Sequence, residues 1–199
     1  MSFTKFAGIC AIAAGVVAFL YAVAFLIISR NNPQVGFQLS SLFLLIQGIA
    51  ATAVFVGLFQ KLQKIEAGFG LWFLLLGVVG ALGGAIHGGF DLANTLNPPS
   101  AGLFRGVPSQ VDPRGLLTFG VTAIALFTAS WLIQKGKELP KGLGTIGYLA
   151  SLLLLLLYLG RLTVLNPVNP LILWPAIING FIVYPAWFIW LGATLWQSK

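Results

Sequence analysis

An all-α bundle of six transmembrane helices is the fold class this sequence predicts, on three observations. The first is composition: of 199 residues, 58% are hydrophobic and 8% charged, with a mean hydropathy of +0.96. Water-facing domains carry about 25% charged residues, so lipid must be the solvent for most of this chain. The second is length. A helix rising about 1.5 Å per residue needs roughly 20 apolar residues to cross a hydrocarbon core of about 30 Å, and six runs reach that length. The third is the segregation of cations into alternate connections, as a polytopic protein requires.

The six runs are Phe6–Ile28, Leu39–Phe59, Phe69–Leu92, Leu116–Ile133, Leu143–Leu165 and Leu171–Trp196. The first follows Lys5, as a signal peptide would, but it is too long for a signal core and ends in Ile27-Ile28-Ser29-Arg30, a poor cleavage site. It is read as a helix. The longest connection spans about residues 93–115, too short for a separate folded unit, so residues 1–199 form one membrane domain.

Placing the N-terminus inside puts all seven lysines (Lys5, Lys61, Lys64, Lys135, Lys137, Lys141, Lys199) on the cytoplasmic side. All four arginines (Arg30, Arg105, Arg114, Arg161) then lie at the outer ends. The positive-inside rule therefore predicts a multi-pass plasma-membrane protein with both termini cytoplasmic. Trp72, Trp131 and Trp196 at inner ends and Trp174 near an outer end suit interfacial anchors. The basic residues behind the net charge of +7 lie singly or in short groups between apolar runs, as topology signals and not as a nucleic-acid-binding stripe.

Boundary motifs recur. Gln60-Lys61 and Gln134-Lys135 each precede a Gly-x-Gly by eight residues, at Gly68-Phe69-Gly70 and Gly142-Leu143-Gly144. Asn32-Pro33, Asn97-Pro98 and Asn166-Pro167 follow the first, third and fifth runs. Three helical hairpins of common ancestry would produce this pattern, and so would the plain tendency of Asn-Pro to end helices.

The third run holds the candidate site. Gly77, Gly80, Gly83, Gly84, Gly88 and Gly89 lie in it, and small residues four apart let helices approach closely in lipid. His87 and Asp91, spaced i and i+4, share a face with Gly80 and Gly84, so the pair is expected to point into the bundle. An ionisable group in mid-membrane costs on the order of 2.5–3.5 kcal/mol, which makes such residues functional candidates. A structural reading stands beside it: Asp91 paired with Arg161, with His87 bonded locally. Gln47, Thr118, Thr122, Tyr158, Arg161 and Asn179 lie in outer halves and Asn94 at the outer boundary, whereas the inner halves are nearly pure hydrocarbon. The expectation is an outward-facing pocket whose ligand-binding residues are His87, Asp91, Arg161, Tyr158, Asn179, Gln47 and Asn94. Asp112-Pro113 reads as a helix N-cap followed by proline at the first helical position, and Arg105 and Arg114 as loop cations.

Chemistry is bounded by what is missing. Cys10 is the single cysteine and His87 the single histidine, which rules out an intrachain disulfide, a zinc site of usual composition and a bis-histidine haem. No metal or catalytic nucleophile–base pair is expected. His87 alone would serve as one axial ligand to a tetrapyrrole. Two function classes lead: a protein, monomer or homo-oligomer, binding or transporting a small amphiphile or lipid, and an accessory subunit of a larger membrane complex, which could hold pigment or haem through His87. An intramembrane acid–base enzyme using His87 and Asp91 comes third.

Four segments carry a resemblance: Leu58-Phe59-Gln60-Lys61, Ile86-His87-Gly88-Gly89-Phe90-Asp91-Leu92-Ala93-Asn94, Val111-Asp112-Pro113-Arg114-Gly115 and Tyr158-Leu159-Gly160-Arg161. With these, the layout resembles small six-helix bacterial membrane proteins grouped under a domain of unknown function. The resemblance implies a prokaryotic six-helix fold with an amphiphilic outer loop after the first helix. It implies no activity.

Overall fold

The computed structural model describes residues 1–97, 111–164, 166 and 168–198. Arg105, Pro98, Leu165, Pro167 and Lys199 lie outside them. The described residues form six helices long and apolar enough to cross a membrane: α1 (Phe3–Asn31), α2 (Pro33–Leu62), α3 (Ala67–Leu96), α4 (Leu116–Lys135), α5 (Lys141–Thr163) and α6 (Pro170–Gln197). No strand occurs among the described residues.

Several helices outrun the apolar stretches that identify them. α1 runs to Asn31 and α2 starts at Pro33, so the implied outer loop after the first helix is replaced by a single non-helical residue, Asn32. The physical cause is a good cap: Asn32 Oδ1 accepts from Val35 N at 3.2 Å, with proline at the first turn. α3 likewise runs to Leu96, beyond the expected end at Leu92. Polar residues past the hydrocarbon keep a helix once its backbone bonds are made, and hydropathy does not see them.

The helices close a ring in chain order: each touches its sequence neighbours, and α6 returns to α1. Both chain ends lie at one end of this ring, where Lys5 Nζ sits 5.9 Å over the Trp196 ring. That end collects the lysines of the described residues, and the opposite end carries Arg30, Arg114 and Arg161. Glycine sets the closest crossings. A Cβ at Gly8 would lie 2.9 Å from Gly192 O, joining α1 to α6, and one at Gly88 2.6 Å from Ser41 O, joining α3 to α2.

The ring is filled at its lysine end and hollow toward its arginine end. Phe55, Leu58, Phe73, Leu126, Trp187 and Phe188 are buried there, and Trp187 Nε1 donates to Leu143 O at 3.2 Å. The outer surface is inverted relative to a water-soluble protein. On α3, Leu71, Leu75, Val79, Leu82 and Ile86 recur at helical spacing and are 44–57% exposed, as a lipid-facing stripe requires.

Three helices widen locally into π-helical turns: Ala24–Ile28 in α1, Leu116–Val121 in α4 and Asn179–Val183 in α6. Each has a local cause. The Ser29 hydroxyl donates to Phe25 O and the Thr122 hydroxyl to Leu117 O at 3.1 Å, so side chains enter the backbone ladder. In α6, Pro185 follows the widened turn and lacks the N–H that would bond back into it.

Candidate functional site

All three widened turns border one cavity. It encloses about 480 Å³, and each turn contributes to its wall: Phe25 and Leu26 from α1, Thr118 and Phe119 from α4, Asn179 and Gly180 from α6. π-Turns gather at functional sites because they re-aim side chains and loosen the backbone ladder. The cavity runs from Arg114 and Arg161 at the arginine end to Phe55 and Tyr184. Tyr184 lies 14 residues into α6, roughly 20 Å along its axis. Most of the wall is apolar. Gln47 and Asn179 interrupt it with amides that are 9% and 5% exposed, and Asn179 Oδ1 has no hydrogen-bond partner.

A second cavity of about 200 Å³ adjoins it, sharing Tyr21, Phe25, Leu44, Thr118, Phe119 and Arg161 with the first. Its remaining wall includes His87 and Asp91. His87 is buried, 9% exposed, and its Nε2 lies 3.0 Å from Oδ2 of Asp91, whose side chain is 36% exposed. The other ring nitrogen faces a residue that sequence reasoning assigned elsewhere. His87 Nδ1 is 3.7 Å from Asp112 Oδ2.

Asp112 is therefore more than the start of a helix. Pro113–Gly115 form one tight turn with Arg114 and Gly115 in the left-handed region, φ 61° and 82°. Gly115 takes that conformation without strain, because it has no Cβ. The turn drops the Asp112 carboxylate onto the first turn of α4, where it accepts from Leu117 N at 2.7 Å and Thr118 N at 2.9 Å. The Thr118 hydroxyl adds a third bond at 2.6 Å. The N-cap reading of Asp112-Pro113 is thus corrected: the carboxylate caps from five and six residues away, and Pro113 is not the first residue of α4. Burial opposes ionisation of this carboxyl, but the nearby His87 ring and the hydrogen bonds from Thr118 and Leu117 outweigh it and hold it well below the usual carboxylate range.

The anticipated Asp91–Arg161 pair does not form. Neither Arg161 nor Arg114 has a carboxylate within 4.0 Å among the described residues, which include all four acids of the chain. The Arg161 guanidinium instead lies 5.4 Å over the Phe119 ring. Arg114 Nη1 donates to the carbonyls of Arg161 and Leu162 at 3.1 and 3.3 Å, capping the end of α5.

His87, Asp91, Arg161, Gln47 and Asn179 thus line one or other of two adjoining cavities. Tyr158 and Asn94 line neither. Tyr158 packs at the α4–α5 crossing, its ring 3.0 Å from where a Gly120 Cβ would stand. Asn94 is half-buried near the end of α3. Tyr21, which lines both cavities, escaped notice because it sits in an apolar run. Its signal was a stack: Tyr21 and Phe25, i and i+4, have ring centroids 5.7 Å apart.

Comparison with known proteins adds no identity. No family model, curated protein or solved structure matches the chain. The residues themselves test the tetrapyrrole expectation. Both nitrogens of His87 face carboxylates, and its adjoining space of about 200 Å³ gives an axial ligand no open face, so the group does not fit here. No group of three His, Cys, Asp or Glu side chains that could hold a metal ion occurs among the described residues.

Proposed function

We propose that this protein binds a small amphiphilic molecule or lipid inside its helical ring, as the binding or transport site of a bacterial plasma-membrane protein of the six-helix kind it resembles. The observation that carries the reading is the 480 Å³ cavity with a mainly apolar wall and two buried amides. Ligand pockets of drug-sized molecules measure about 300–1,000 Å³ and have this composition, an apolar wall with a few placed polar groups. A buried amide oxygen without a partner costs about 1–3 kcal/mol, a cost that a ligand donor would remove.

Gly84 offers the test. It borders the cavity, and a Cβ there meets Leu44 and Thr118 only at 3.7 and 3.9 Å, so a larger side chain enters the hollow without forcing helices apart. In phosphatidylcholine nanodiscs, the neutral fluorophore Nile red is expected to bind the wild type saturably. Gly84→Leu should weaken that binding about tenfold or more while leaving the melting temperature near native. Equal binding by the two proteins would show that the probe lies outside the ring and end this reading.

The orientation is part of the proposal. With the lysine end cytoplasmic, the cavity faces outward. Reporter fusions after Lys64 and Lys141 should read cytoplasmic and one after Pro99 external. The reverse pattern would turn the cavity toward the cytoplasm.

A further inference from the structure

The charges around the two cavities are not distributed evenly. Around the larger one, the charged wall residues are Arg114 and Arg161, with no acid. The acids nearby are already engaged: Asp91 and Asp112 flank His87, and Asp112 also takes three bonds from Leu117 and Thr118. Arg114 directs Nη1 to two backbone carbonyls. Arg161 has no carboxylate within 4.0 Å, and its guanidinium donates no hydrogen bond recorded among the described residues. Its guanidinium carbon lies 5.4 Å from the centre of the Phe119 ring, within cation–π range. Phe119 and Arg161 border both cavities, so the fork stands where the apolar hollow meets the polar one.

We infer that the ligand is an amphiphile with an anionic head, a carboxylate or a phosphate, held by Arg161 while its apolar body extends past Gln47 and Asn179 toward Phe55 and Tyr184. The inference rests on the binding site proposed above and names its substrate class. A guanidinium presents its donors in a rigid fork that matches planar or tetrahedral oxyanions. A half-buried guanidinium beside an apolar hollow is stabilised more by an anion than by a neutral hydroxyl. The amides of Gln47 and Asn179 favour a ligand with a hydrogen-bonding group partway along its body. The His87–Asp91–Asp112 group lies to one side, and its carboxylates keep an anion from moving further into the smaller cavity.

The experiment uses the full chain in phosphatidylcholine nanodiscs and measures displacement of bound Nile red by dodecanoate, dodecyl phosphate and dodecanol. Either anion should displace the fluorophore from wild type at about a tenfold lower concentration than dodecanol. Whichever of the two is stronger identifies the head as carboxylate or phosphate. Arg161→Gln should abolish the advantage of the anions and leave dodecanol unaffected. Arg161→Lys, which keeps the charge but not the fork, should retain part of it and so separates loss of charge from loss of fold. Equal displacement by all three probes in wild type, or an undiminished anion advantage in Arg161→Gln, overturns the anionic head. If Gly84→Leu still blocks Nile red in that event, the binding site stands and only its substrate class falls. If Gly84→Leu does not, the site itself is wrong.

Discussion

Asp112→Ala is expected to cost about 3 kcal/mol or more of stability, because three hydrogen bonds end on its carboxylate. Its carboxylate accepts bonds from Leu117 N, Thr118 N and the Thr118 hydroxyl while 1% exposed. Removing it orphans buried donors at about 1–3 kcal/mol each and leaves His87 with Asp91 alone. Asp112→Asn keeps one acceptor oxygen and should lose less. Thermal unfolding in mild detergent measures both, and an unchanged midpoint for the alanine variant would mean the carboxylate holds nothing. The same group gives a signed pH effect. Because its folded pKa lies below the ordinary value of about 3.9, its contribution is fully present above that value. It is lost as pH falls through the folded pKa. Wild type should therefore lose stability on acidification below about pH 4 more steeply than Asp112→Asn does.

Gly88→Leu should separate α3 from α2 and reduce folded protein severely. A Cβ at Gly88 would stand 2.6 Å from both Ser41 O and Leu45 N, which are backbone atoms that no rotamer change can move. Overpacking a core costs about 1–3 kcal/mol and more where backbone must shift, and in lipid this close packing is itself a main driving force for association. Gly89→Ala is the control, because a Cβ there meets only Leu45 Cδ1 at 3.7 Å and should leave the protein near native. Monodisperse yield and melting temperature report the difference. Similar behaviour of the two variants would remove the close crossing from the account of the fold.

Residue spacing alone placed His87 inside the ring, because i, i+3 and i+4 neighbours share a face whatever the helix packs against. The depths of Gln47, Asn179 and Arg161 were legible for the same reason, since distance along a helix is counted in residues. Depth was a poor guide to partnership. Asp91 and Arg161 lie toward the same end of the bundle yet do not pair, because helix rotation turns Arg161 onto Phe119. Asp112, 25 residues from His87, reaches it through a left-handed turn at Arg114 that no hydropathy pattern encodes. The π-turns were equally hidden, although Ser29, Thr122 and Pro185 supply their causes. They fall in α1, α4 and α6, an order that does not follow a repeat of three hairpins.

Composition and period by themselves determined that this chain makes six apolar helices, that lysines and arginines lie at opposite ends, and that the polar residues concentrate toward the arginine end. These are local properties: burial in lipid requires every backbone bond to close within its own helix, so each segment declares itself. Tertiary structure decided that the helices form a ring, that the ring is filled at one end and hollow at the other, and which charges meet. Those outcomes depend on the rotation and approach of helices, set by contacts such as Gly88 on Ser41 and Gly8 on Gly192. Side chains far apart in sequence meet there only after the chain has closed on itself.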